Sequence, residues 1–441
     1  MTDVADLARM TPPSVPGGCP AAWRPLRSAL LAVLVTLAAA GIVISRRPDA
    51  FTNAQFYAED GTRWFGDAYN LGAWQALGVS LSGYYQTLSR LAALVEVPFG
   101  VGNAPVAYNV MGLLVQIAPV LFFLSGRFRE LVPSLWVRIG LGAVYLLMPT
   151  TELNVTITNA PFHLAVLATL VIVAPEARGW GWRAFDIAVI ALTAATGPFV
   201  YVLLPIAVLW WLLRRRRETL VLLAVLALGL GAQLYAETQT PRTAYPLGAN
   251  LRDLVLLLCD RVVLAGLFAE EGHTHVYVTG LAHATVLAGL VLLVAAPVVV
   301  LAALRAPWEL RIFDLTALLF LAAGLAVPAV SAAGNQWQIM TMGRAGERYF
   351  FLAQVAWVVT VVWAASRLRM PWLRQGAWVA VAVAFASGLV VAWSYPAFID
   401  EHWPQEAREI LTSPVGTHLT LPEPPGGPWT FEVTVRSGGL S

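Results

Sequence analysis

Charge is the first thing this sequence has little of. Only 12% of its 441 residues are charged, 58% are hydrophobic, and the mean hydropathy is +0.68. A soluble domain carries about 25% charged residues, so a soluble enzyme held by one anchor is excluded. Lysine is absent, and all 28 cationic side chains are arginine. That fits the coding bias of a GC-rich genome and carries no functional weight. Cysteine is nearly absent. Cys19 and Cys259 lie far apart, which rules out a disulfide framework or a CxxC site. No Gly-rich phosphate loop occurs in the short polar connections, and none of these is long enough for a nucleotide-binding domain.

What the chain does have is apolar runs of roughly 17–25 residues, the length that crosses a bilayer core as a helix. The pattern predicts an all-α polytopic membrane protein with about eleven spans. They fall near 29–45, 105–125, 134–149, 160–174, 184–196, 198–213, 219–236, 281–304, 312–331, 350–365 and 375–394. Spans three to six are short enough to be tilted, broken or re-entrant. The first run is long, follows about 28 residues and lacks a small-x-small cleavage site, so it reads as a span rather than a signal peptide. Three parts follow: a flexible cytoplasmic N-terminus (1–28), a transmembrane domain (29–394) and an outer C-terminal tail (395–441).

Arginine sets the orientation. With the N-terminus inside, 17 of the 28 cationic residues fall on the inner segments. They are Arg9, Arg24, Arg27, Arg127, Arg129, Arg138, Arg178, Arg183, the run Arg214 to Arg217, Arg305, Arg311, Arg367, Arg369 and Arg374. This is the positive-inside bias, and it makes "RRRR" a topology anchor rather than a nucleic-acid site. By the same map, 8 of the 26 acidic residues fall inside. The outer face then holds the first loop (46–104), a second (237–280), a third (332–349) and the tail. Any chemistry belongs there, without ATP.

The first loop is rich in aromatics, and residues 72–98 have helical apolar spacing, which predicts a helix in the interface plane. Its "FYAEDG" sets Glu59 and Asp60 side by side, with Arg63 and Asp67 close behind. Three readings stand open for the pair: a general base toward a hydroxyl, ligands for a hard divalent cation, or solvated loop charge. In "TTELNVTITNAPFH", Asn159 and His163 share one helix face if the helix has begun by Asn159. They then read as a helix cap plus an interfacial histidine, or as the polar wall of a cavity. Asn154-Val-Thr156 matches a glycosylation sequon weakly.

The second loop predicts a helix over 250–268, lying on the surface or dipping back in. Glu270, Glu271, His273 and His275 follow it. His273 and His275 are weak metal candidates, since no further ligand completes a known spacing. In the third loop, Arg344 and Arg348 oppose the inner bias, and arginine suits phosphate. Tyr349 follows directly. In the tail, "PEPPGGPW" breaks any helix and "TFEVTV" alternates like a strand. The tail therefore reads as a small, irregular outer cap ending in disorder.

This layout resembles the C-type (GT-C) membrane glycosyltransferases over about 30–395, by architecture rather than by full sequence match. "FYAEDG", "SGYYQTLSR", "GRAGERYF" and "PPGGPWTF" are also similar to a group of bacterial multi-span proteins with an AEDG-like first loop and a PPGW-like end. Here that end carries an insertion. The resemblance implies sugar transfer from a polyprenyl-phosphate donor to an extracytoplasmic glycan or lipid acceptor, in a bacterial inner membrane. A first-loop acid would be the general base: Asp60, with Glu59 orienting the acceptor. By chemistry, Arg344, Arg348 and Arg63 are the candidates for the donor phosphate. Asn159, His163, Tyr84, Tyr85 and Tyr349 are the candidates for substrate contacts. No cofactor is required, a divalent cation is left open, and no nucleic-acid partner is expected. The alternatives are a transporter or flippase, a glycan polymerase or ligase, and a non-catalytic scaffold. A transporter needs polar groups at mid-membrane and an internal repeat, and the spans offer few.

Overall fold

The computed structural model describes residues 23–149, 151–270, 272–427 and 429–437, excluding the side chains of 23–28, 272, 273 and 276. The flexible N-terminus expected over 1–28 lies mostly outside this range, and a helix is present from Trp23. Each expected span coincides with a helix. This follows from the solvent: in hydrocarbon every backbone N–H and C=O must be satisfied within the segment. Seven helices are long and apolar enough to cross a membrane: Ala29–Arg46, Val101–Leu124, Gly197–Arg214, Arg217–Gln239, Ala284–Arg305, Glu347–Ser366 and Pro371–Ala392. The chain is an all-α membrane protein by this measure.

The other four expected spans fall short for visible reasons. Leu135–Leu147, Ala160–Val173 and Trp180–Ala194 have 13, 14 and 15 residues, or about 20–22 Å of helix at 1.5 Å per residue. Trp308–Ala326 has the length but carries Glu309, Arg311 and Asp314. Between the first two short helices, Leu153, Asn154, Val155, Thr156 and Ile157 are buried. The connection thus folds back into the bundle as a wedge. It lies on Val101–Leu124 at Gly112, where a Cβ would stand 2.5 Å from the Val155 carbonyl oxygen.

The connections sort into two ends. At one, ion pairs join successive arginine-rich connections: Arg127 to Asp186, Arg178 to Glu130, Arg183 to Glu218 and Arg214 to Glu309. At the other lie the three long loops and the tail.

Several loop expectations change. Residues 72–98 do not form one interface helix. Ala73–Ala76 and Thr87–Glu96 are helical, and "GVSLSG" between them makes a turn, with Gly83 at φ +90°. Thr87–Glu96 buries one face and anchors its start on the 195–197 turn, where Leu88 N–H donates to Thr196 Oγ1 at 3.0 Å. An apolar rim remains exposed, with Leu71, Trp74, Val95 and Phe99 on it. Of the two placements expected for the second-loop helix, the one that dips back in is the one observed. Residues 251–268 are helical with a π-helical centre, and Cys259, Asp260 and Arg261 are buried. Gln354 donates to the Arg261 carbonyl at 2.7 Å, and the Arg261 guanidinium donates to the carbonyls of Met340 and Gly343.

The tail is not irregular. Helix Trp403–Thr412 precedes an antiparallel pair, His418–Pro422 with Thr430–Thr434. Trp403 and Phe431 join Phe56, Phe65 and Tyr108 in one aromatic cluster. This cluster docks the tail on the first loop.

Candidate functional site

The site forms where the first loop, the wedge, the third loop and the tail meet. "FYAEDG" is fixed from both sides. Phe56 sits in the aromatic cluster, while Ala58, in the left-handed region at φ 54°, donates its N–H to the Pro424 carbonyl at 2.7 Å. A π-helix, Asp60–Phe65, then begins.

The two adjacent carboxylates face different surroundings. Asp60 is 0% exposed. Its Oδ1 accepts from Thr158 N–H at 2.9 Å, and Trp64 Nε1 donates to Thr158 Oγ1 at 2.8 Å. Oδ2 has no hydrogen-bond partner among the described residues. Burial pushes the Asp60 carboxyl up to about 7, against the hydrogen bonds from Thr158 that favour its charged form. Glu59 is half-buried and lies within electrostatic reach of Tyr57, Tyr84 and Arg348.

Arg348 is already engaged. It pairs with Glu152 of the wedge, donates to the Ala329 carbonyl, and lies 4.8 Å over the Tyr349 ring. Glu347, beside it, accepts from Glu152 N–H at 2.8 Å. Tyr349 hydroxyl accepts from Ala329 N–H at 3.0 Å. Burial raises the Tyr84 hydroxyl, opposed first by the nearby Arg242. Arg242 guanidinium lies 5.8 Å from the Tyr84 ring centre and donates to the Val327 carbonyl at 2.8 Å.

The remaining candidates divide. Arg344 does not share a helix face with Arg348, because the helix starts at Glu347 after Gly346 at φ +72°. Arg344 is exposed and lines a separate cavity of about 110 Å³ with Glu270, Glu347 and Tyr395. Arg63 is exposed on the π-helix. Asn159 and His163 are buried and hold the wedge. Asn159 donates to the Glu152 carbonyl at 2.9 Å, and His163 meets Tyr145 hydroxyl at 2.7 Å and the Leu153 carbonyl at 3.4 Å. Tyr85 ties the loop to the spans through its backbone: its N–H donates to Gln233 at 2.9 Å and its carbonyl accepts from Gly197 at 2.7 Å. Asn154 of the sequon is buried and bonded to Gln116, so it is not a free acceptor for a glycan.

Glu271 and the side chain of His273 lie outside the described residues. His275 Nδ1 is 3.7 Å from Asp260 Oδ2. Among the described residues, no group of three or more His, Cys, Asp or Glu is arranged to hold a metal ion.

Two residues of this region escaped the sequence reading. Arg242 lies in the second loop, where a cation on the expected outer face was the same signal that singled out Arg344. Glu423, from "PEPPGG", carried no signal beyond its motif. Its carboxylate accepts from Gly61 N–H at 2.9 Å, from Thr62 N–H at 3.0 Å and from the Thr62 hydroxyl. Burial pushes it up to about 8, and Asp60 nearby raises it further.

No protein-family model, curated protein or solved structure matches the chain.

Proposed function

We propose that the chain is a membrane glycosyltransferase of the GT-C kind. In this reading it has eleven spans and lies in a bacterial inner membrane, with the N-terminus cytoplasmic and the loops and tail extracytoplasmic. It moves a sugar from a polyprenyl-phosphate carrier to a glycan or lipid hydroxyl. One observation carries the reading: a half-buried carboxylate, Glu59, lies within electrostatic reach of Arg348 and Tyr84 at the loop-bearing end, and Arg242 lies beside that tyrosine. Basic and phenolic donors suit a leaving phosphate, and a carboxylate opposite them suits an attacking hydroxyl.

The burial of Asp60 exchanges the roles expected of the two acids. Glu59 is the group an acceptor can reach, and Asp60 holds the turn through Thr158. As the acceptor oxygen bonds to the anomeric carbon, its proton passes to Glu59. The bond from that carbon to the phosphate oxygen breaks, and the carrier phosphate leaves as an anion toward Arg242 and Tyr84. Arg348 contributes field rather than a free donor set, since Glu152 already occupies it. A single displacement of this kind inverts the anomeric centre.

An apolar cavity of about 430 Å³ lies at the arginine-rich end and reaches Tyr145, whose hydroxyl is 2.7 Å from His163 Nδ1. The test is sugar transfer from lipid-linked donors in proteoliposomes and glycan profiling of a complemented deletion strain. Glu59→Gln is expected to lower transfer by about 10²–10⁴-fold and to deplete the product in the glycan profile. Unchanged transfer and profile in the Glu59→Gln, Asp60→Asn double variant would sink the proposal.

A further inference from the structure

Residues 58–62 take their shape from the tail. Four hydrogen bonds cross from one to the other. Ala58 N–H donates to the Pro424 carbonyl at 2.7 Å, and the Glu423 carboxylate receives Gly61 N–H at 2.9 Å, Thr62 N–H at 3.0 Å and the Thr62 hydroxyl. The carboxylate is 1% exposed. Residue 61 has to be glycine for this arrangement, since a Cβ would lie 2.3 Å from Glu423 Oε2 and 3.0 Å from the Phe431 ring.

The tail does not need Glu423 to remain docked. Asn70 donates to the Glu432 carbonyl at 2.7 Å and accepts from Thr434 N–H at 2.9 Å, and Arg436 donates to the Tyr69 carbonyl at 3.1 Å. The aromatic cluster adds apolar burial. A buried carboxylate with three donors, beside contacts that already fix the tail, acts on the turn it holds. That turn carries Glu59.

We propose that Glu423 is a positioning residue of the site. It fixes the backbone of residues 58–62, so that Glu59 stays within reach of Arg348 and Tyr84 while Asp60 is held by Thr158. The assignment of the turn rests on geometry alone, and the link to rate rests on the transfer reaction proposed above. The charged groups around the carboxylate include Asp60, and no cation reaches it among the contacts of the described residues.

The experiment uses the full chain in nanodiscs, as wild type, Glu423→Gln and, as a control on tail docking, Asn70→Ala. Amide exchange is followed over residues 58–66 and 430–436, and sugar transfer gives kcat and KM. In Glu423→Gln, exchange is expected to speed up at Gly61 and Thr62 and stay unchanged over 430–434. Its kcat is expected to fall roughly ten- to a hundredfold, with KM nearly constant, because a misplaced group costs rate rather than binding. Asn70→Ala is expected to speed exchange at 430–436 and leave kcat alone. Unaltered exchange at 61 and 62 would overturn the proposal, as would protection lost equally throughout the tail, or an unaltered kcat. If the wild type transfers no sugar, the transferase reading falls, and the exchange pattern alone decides whether Glu423 sets the turn.

Discussion

The two ends of the bundle use charge differently. At the arginine-rich end the pairs stand in water. Arg178 and Glu130 are 89% and 64% exposed, and Arg183 with Glu218 is similarly open. Such pairs contribute about 0–1 kcal/mol. Arg127 is the exception, since its Nη1 meets both oxygens of Asp186, at 2.8 and 3.0 Å, in a nearly buried setting. At the loop-bearing end several charged groups are buried, and these bind backbone. Asp60 receives Thr158 N–H and Glu423 receives Gly61 and Thr62 N–H. Arg46 donates to the carbonyls of Leu146, Met148, Ala392 and Trp393. Arg261 donates to Met340, Gly343 and Ala345. A buried charge is costly unless hydrogen-bonded, so these side chains fix loop geometry in a layer with little regular structure. One end carries mostly exposed charge pairs, and the other carries buried charge that shapes the chain.

The contrast can be broken first by rate. Glu59→Gln is expected to lower initial transfer rates by about 10²–10⁴-fold, the range of a lost general base. Arg178→Ala should leave them within twofold. Comparable losses in both would erase the distinction.

Stability comes next. Arg261→Ala leaves several buried carbonyls without donors, each worth about 1–3 kcal/mol. Thermal unfolding in detergent should show a marked drop, whereas Arg183→Ala should cost under about 1 kcal/mol. Equal costs would mean that burial does not separate the two ends.

A pH titration sharpens the comparison further. Burial raises Asp60 to about 7 and Glu423 to about 8. For acids raised above their unfolded values, the stabilisation is complete below the ordinary carboxylate range. It is lost as pH rises through the folded values. Protection of residues 58–62, corrected for intrinsic exchange, should therefore fall progressively from about pH 4, the ordinary carboxylate range, to about pH 8 and level off above it. Asp60→Asn should flatten that fall. Protection that stays level from pH 6 to 9 would contradict the coupling of the two carboxyls.

The smallest effect is on the surface. Trp74→Ser at the exposed rim should leave unfolding unchanged within error, because the ring is 70% exposed. A clear loss of detergent-free membrane association would instead make that rim an anchor.

The helices were readable because hydrocarbon permits little else, and their bounds follow the apolar runs. The segregation of arginine was equally readable, since it needs only sequence order. The divergence of Glu59 and Asp60 was not. It depends on Thr158, 98 positions away, and on Glu423, 362 positions beyond Gly61. Neighbours in sequence share composition signals but not surroundings. Arg344 and Arg348 share composition but not surroundings, because the helix that carries Arg348 starts only after Gly346. Asn159 and His163 do sit near one another at a helix start, yet their partners are backbone carbonyls and the Tyr145 hydroxyl, which no residue pattern names. In the tail, the alternation of "TFEVT" pointed to a strand, and its partner, His418–Pro422, alternates as well, with Leu419 and Leu421 inward, though the sequence reading did not single it out.

The docking of Glu423 on Gly61 also bears on biogenesis. Residues 56–62 leave the ribosome early, but the groups that complete their turn are made only after all the candidate spans. Residues 423 and 424 must therefore be made before the turn can close. A chain that stops before residue 423 would still lack the clasp on residues 58–62.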